Sequence, residues 1–172
     1  MNEQDIELVV NHFFSSRRDD QLKKFAIQSN EIEGIYDEDR HLIHFDCLRN
    51  FLCLDKIDIC DLEMFVSRIE PGAFLRSDPE HIVYIGGNKA CDSSLISSKL
   101  EKVLYQVNHD MVSPFISHQE YEFIHPFIDG NGRSGRALWL WQMVKHHRYN
   151  LNYLFLQMYY YQSFDACKNF YE

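Results

Sequence analysis

His125-Pro126-Phe127-Ile128-Asp129-Gly130-Asn131-Gly132-Arg133-Ser134-Gly135-Arg136 is the stretch on which the reading of this chain turns. It reads as a loop running into a helix, with the composition of a phosphate site. Gly130 and Gly132 lack Cβ atoms, so the backbone is free to take positive φ there and aim successive N–H groups into one concavity. That concavity precedes a helix N-terminus, where the dipole also favours an anion. Asn131 tolerates the same conformation and adds a donor. Arg133 and Arg136 stand i and i+3 on the following helix, with Cβ atoms about 5–6 Å apart, a spacing suited to neighbouring phosphates of one polyphosphate. Asp129 would repel bare phosphate, so its sign points to a hard divalent cation. Mg2+ held by one or two carboxylates plus phosphate oxygens is the usual solution. His125 is the candidate general base of the stretch, because an imidazole with an ordinary pKa of about 6.5 takes a proton from a hydroxyl at neutral pH. Taken singly, each residue fits a surface turn, a solvated helix or a packed histidine. Their conjunction in twelve residues describes an anion site.

Outward from that stretch the pattern is helical. Three of the seven glycines fall within 130–135, and the flanks carry apolar residues at helical spacing. Upstream, Pro114 to Ile124 reads as a helix bearing His118, Tyr121 and Glu122. Downstream, Arg133 to about His147 reads as another that buries Leu138, Trp141 and Val144. Leu95 to Val107 predicts a further helix, as do Leu62, Phe65, Val66 and Ile69, which stop at Pro71-Gly72, and Leu42 to Leu52. Two helices open the chain, one around Ile6 to Phe14 and one around Leu22 to Ile32, the second closed by Gly34 as a C′ residue. Between Phe74 and Gly87 the period changes: Ile82-Val83-Tyr84-Ile85, set between Asp78-Pro79 and Gly86-Gly87, reads as a short β-hairpin. An aromatic segment from Leu151 to Tyr171 completes the chain. The expected fold class is mainly α, a helical bundle with one short hairpin.

Composition agrees. The chain has 172 residues, 45% of them hydrophobic, which fits one folded domain over 1–172 and excludes disorder. Seven Gly and four Pro fall below the roughly 12 and 9 of average usage, so turns are few and a sheet-dominated barrel is not expected. Seventeen Lys and Arg against 26 Asp and Glu give 17 − 26 = −9, which works against broad binding to nucleic acid or anionic membrane, since both are polyanions. No apolar run is long enough for a membrane span, and the acidic start Met1-Asn2-Glu3-Gln4-Asp5 is unlike a secretory signal, so a cytoplasmic protein is expected. Five cysteines without a C-x-x-C pair predict reduced, mostly buried thiols.

The twelve-residue stretch resembles the signature H-P-F-x-[DE]-G-N-G-R-x-x-R of the Fic domains of the Fic/DOC superfamily and matches it at every specified position. The resemblance implies a helical domain that transfers AMP from ATP, with Mg2+, to a Tyr, Thr or Ser hydroxyl of a target protein. Carried over by position, it makes His125 the general base, Asp129 the metal ligand, Gly130, Asn131 and Gly132 the anion hole, Arg133 a phosphate ligand and Arg136 the partner of the γ-phosphate. Phe127 becomes a core anchor. Arg76 to Gly87 is similar to the family's hairpin flap, which implies that Ile82, Val83, Tyr84 and Ile85 pair with the backbone of a docked target. Ser113 to Ile124 is similar to the helix that leads into the signature, so the likeness spans most of the chain after residue 60.

Near the start, Ser29-Asn30-Glu31-Ile32-Glu33-Gly34 resembles the inhibitory signature [ST]-x-x-x-E-[GN] that many Fic proteins carry, here within residues 1–35. Ser29 and Glu33 are i and i+4 and so face one side; a glutamate presented to Arg136 would pair with it and repel an entering γ-phosphate. The expectation is an autoinhibited protein adenylyltransferase. Transfer of UMP, phosphocholine or phosphate, and removal of AMP, remain alternatives, as does a non-catalytic nucleotide-responsive binding module; a homo-oligomer is left open. His41-x-x-His44 lacks a completing metal ligand and reads as a solvated or packed pair and His118 as structural, while Tyr153, Tyr159, Tyr160 and Tyr161, an aromatic stripe more often core than an adenine-stacking platform, are assigned neither role.

Overall fold

The computed structural model describes residues 3–85 and 88–146, with side chains for 18–84 and 89–146. The described residues form two compact units, 3–45 and 46–146.

In the first unit α1 runs unbroken over Glu3–Ile32, correcting the expectation of two helices. The stretch Ser15-Ser16-Arg17-Arg18-Asp19-Asp20-Gln21 interrupts the apolar period but holds no Gly or Pro to break the backbone. Its C-terminus is a Schellman turn. Gly34 takes φ 73°, its N–H donates to the Glu31 carbonyl at 3.0 Å, and the Ile35 N–H donates to the Asn30 carbonyl at 3.0 Å. Buried Asn30 then joins α1 to α2, Glu38–Phe51, whose first turns lie in this unit. Its Nδ2 donates to the Arg40 carbonyl (3.2 Å) and to His41 Nδ1 (3.0 Å), and its Oδ1 accepts from His44 Nδ1 (3.0 Å). The His41/His44 pair is thus packed around one asparagine.

In the second unit α3 (Ile59–Ile69) opens with a reciprocal capping box between Asp58 and Asp61 and buries the predicted stripe Leu62, Phe65, Val66 and Ile69. α4 (Ser93–Asn108) buries Ile96, Leu100, Val103, Leu104 and Val107. α5 covers Pro114–Ile124, with Ser113 accepting the Ile116 N–H as N-cap and Pro114 pre-set in the first turn. α6 (Asn131–His146) begins two residues before Arg133 and is buried over nearly all of its surface from Asn131 to Gln142. A helix apolar or bonded on every side belongs in the core, and α6 packs most extensively against α5, which also meets α4. Polar ties fix the arrangement: Tyr121 Oη meets Ser134 Oγ at 2.7 Å, and Asn108 bonds both the N–H and the C=O of Ile57 at 2.8 Å.

Between α3 and α4 a two-residue antiparallel ladder pairs β1 (Tyr84–Ile85) with β2 (Asn88–Lys89), Tyr84 opposite Lys89 and Ile85 opposite Asn88. Ile82 and Val83 precede the ladder. The thiols depart from expectation: of those described, only Cys47 is buried, while Cys53 and Cys60 are exposed because they sit in the turn after α2 and the first turn of α3. Cys167, the aromatic segment and its tyrosines lie outside the described residues. No described helix is long and apolar enough to cross a membrane.

Candidate active site

α5 ends at His125, which takes the left-handed conformation (φ 50°, ψ 62°) and donates its N–H to the Tyr121 carbonyl at 3.0 Å. Pro126 follows and cannot continue the helix. The helix end is held by Arg76, which is 2% exposed. Its Nε donates to the His125 carbonyl (2.8 Å), Nη2 to Ile124 (3.0 Å) and Cys91 (3.1 Å), and Nη1 to His81 (3.0 Å). A guanidinium beside the last carbonyls of a helix also meets the negative end of its dipole. Burial draws the Arg76 pKa below its ordinary value.

Beyond His125 the chain is pinned on two sides. The Arg76 N–H donates to the Pro126 carbonyl (2.8 Å) and the Ile128 N–H to Phe74 (3.2 Å), forming an isolated antiparallel bridge between Leu75 and Phe127. Asn131 closes the other side: its Oδ1 accepts the Phe127 N–H and its Nδ2 donates to the Phe127 carbonyl, both at 2.8 Å. Phe127 is fully buried, as an anchor should be. Gly130 takes φ 79°, as its lack of Cβ allows. Gly132 does not take positive φ; it lies inside α6, because the helix begins at Asn131, and that corrects the expectation of two left-handed glycines. The first-turn N–H groups of Asn131, Gly132 and Arg133 have no carbonyl within the helix to reach.

The charged residues take different surroundings. Asp129 is exposed, with Oδ1 accepting the Gly130 N–H. Arg133 is buried, donating through Nη1 to the Ile69 carbonyl (3.0 Å) and through Nη2 to the Glu70 carboxylate. Arg136, one turn on, is 1% exposed. Glu122 lies between two imidazoles, its Oε1 3.9 Å from His118 Nδ1 and its Oε2 4.0 Å from His125 Nδ1. Burial, helped by the positive charge of Arg136, pushes the His118 pKa down to about 3, so that ring is neutral near pH 7. Burial also raises the Tyr121 hydroxyl.

The structure therefore brings His125, Asp129, Gly130, Asn131, Gly132, Arg133 and Arg136 together where α5 gives way to α6. Ser29 and Glu33 lie in the first unit, Ser29 buried in α1 and Glu33 exposed in the turn after it. Ile82 (50%) and Tyr84 (65%) are exposed, Val83 is half-buried, and Ile85 lies in β1. Sequence reading took Arg76 only as the edge of the hairpin and gave no role to Glu70, Glu122 or Gly135. A glycine inside a helix was the one local sign: a Cβ at Gly135 would collide with Glu122 Oε1 and come within 2.9 Å of Tyr121 Cδ1.

A divalent cation fits this donor set in one way. Among the described residues no group of three or more His, Cys, Asp or Glu is placed to hold a metal. Exposed Asp129 offers one hard oxygen donor, and Mg2+ commonly keeps waters and takes substrate phosphates as its other ligands.

A model described as the Fic/DOC family matches residues 54–143, just over half of the chain. Over 80 residues the chain is 35% identical to proteins named protein adenylyltransferase Fic from Drosophila yakuba and Drosophila ananassae. The matched stretch covers 42% of this chain and 15% of each of those proteins.

Proposed function

The chain belongs to the Fic/DOC family, and from that membership we propose that it is a protein adenylyltransferase, moving AMP from ATP to a hydroxyl side chain of a target protein. The observation that carries this reading is the placement of His125, by the Arg76 bonds and the Asn131 clamp, beside the first turn of α6. Phosphates seat against the first-turn N–H groups of Asn131, Gly132 and Arg133 that follow the Gly130 turn, and Arg133 and Arg136 supply positive charge behind them. The target hydroxyl oxygen attacks the α-phosphorus while the bond from that phosphorus to the bridging oxygen breaks. The hydroxyl proton passes to His125, and pyrophosphate departs. Asp129 is the residue that would hold Mg2+, which when bound neutralises phosphate charge.

Exposed Ile82 and Tyr84, with a ladder of only two strands among the described residues, support docking of a target segment as an added strand. Glu33 acts as a brake by competing with the γ-phosphate for Arg136, with Ser29 fixing the helix end that presents it. Its exposure in a turn locked by Gly34 supports that reading. The net charge of −9 supports a setting without broad nucleic-acid or anionic-membrane partners. The test is incorporation of ATP labelled in its α-phosphate into a target or into the chain itself. His125→Ala is expected to abolish it while ATP still binds, and labelling that persists would remove His125 as the base.

A further inference from the structure

We propose that Glu122 is the positioning carboxylate of His125. It keeps the imidazole proton on Nδ1, leaves Nε2 to take the proton of the attacking hydroxyl, and steadies the imidazolium that results. The proposal rests on the reading of His125 as general base.

Three observations carry it. Glu122 stands one helical turn before His125, with Oε2 4.0 Å from His125 Nδ1. That is longer than a hydrogen bond, yet such contacts are commonly long in unliganded sites and tighten with substrate. The Glu122 side chain is only 12% exposed, so its charge is poorly screened and acts strongly on what lies beside it. Its position is also fixed from behind. Oε1 rests where a Cβ at position 135 would stand, so Gly135 lets the carboxylate sit against the α6 backbone, and any other residue would push it away.

The neighbouring charges single out His125 as the ring that responds. Glu122 touches two imidazoles, but His118 resists protonation because it is buried and faces Arg136 of α6. Beside the pair, the Tyr121 hydroxyl of α5 stays neutral, and the Arg76 guanidinium bonds the His125 carbonyl. A carboxylate beside the His125 ring favours its positive form. During transfer the hydroxyl proton goes to Nε2, the Nδ1 proton stays on the ring, and the new charge lies beside the Glu122 carboxylate.

The experiment uses the full chain and its Glu122→Gln variant, with nitrogen NMR of the His125 ring and the pH dependence of α-labelled AMP transfer. The unaltered protein should show the Nδ1–H tautomer. A carboxylate stabilises the imidazolium, so its removal should lower the pH at which His125 titrates by about one pH unit. The acidic limb of the transfer rate should move the same way, and the plateau rate should fall about tenfold or more with ATP binding intact. An Nε2–H tautomer in the unaltered protein would overturn the proposal without any variant, and so would unchanged His125 titration in a folded Glu122→Gln protein. If the titration moves as expected but neither protein transfers AMP, even when each also carries Glu33→Gly, Glu122 keeps its role and the adenylyltransferase reading falls instead.

Discussion

Asn131 uses both ends of its amide on one residue four positions back, accepting the Phe127 N–H and donating to the Phe127 carbonyl. Only an amide side chain offers a donor and an acceptor at that spacing. Asn131→Asp keeps the size but sets an acceptor against the buried Phe127 carbonyl. It should destabilise the protein by about 2–4 kcal/mol, read from the midpoint of urea denaturation. A loss below about 0.5 kcal/mol would show that the clamp is not what seats Phe127. The sequence made Asn131 conspicuous through its glycine neighbours, and it suggested a donor facing a ligand. Residue type alone does not say whether an amide turns outward or back onto its own chain, and here it turns back. Gly135 was legible only as a glycine in a helix, since its reason lies in Glu122, thirteen residues earlier on another helix.

At the scale of elements, α5, the signature loop and α6 are one construction held by a strand segment from elsewhere. Periodicity located α3 to α6 within a few residues, most directly where a helix such as α3 or α4 carries a buried stripe. It divided α1 wrongly, because a polar stretch without Gly or Pro interrupts the apolar period and leaves the helix intact. It could not find the part played by Arg76, whose four carbonyl partners come from three segments and leave no spacing to read. Arg76→Lys tests that part. An ammonium keeps the charge but lacks the planar fork, so most of the four bonds go unmade inside the protein. The expected loss is about 2–4 kcal/mol of stability in thermal or urea unfolding. Wild-type stability in this variant would mean that the α5 end needs only a positive charge.

At the scale of the molecule, the matched region 54–143 falls within the second unit, while the proposed brake residues Ser29 and Glu33 belong to the first. Removing the carboxylate by Glu33→Gly should therefore raise the initial rate of α-labelled transfer at saturating ATP, by tenfold or more. Each factor of ten requires only about 1.4 kcal/mol of lost pairing. An unchanged rate with normal ATP binding would strike the brake from the account. The bonds made by Arg76 have a consequence in time as well. Ile124 and His125 lie 48 and 49 positions after it, so the turn after α5 is built from pieces synthesised far apart. As the chain leaves the ribosome, the guanidinium emerges first and has to wait for its carbonyls. A nascent chain that has not yet exposed residues 124–131 therefore has no finished signature loop, however well its earlier helices have already coiled.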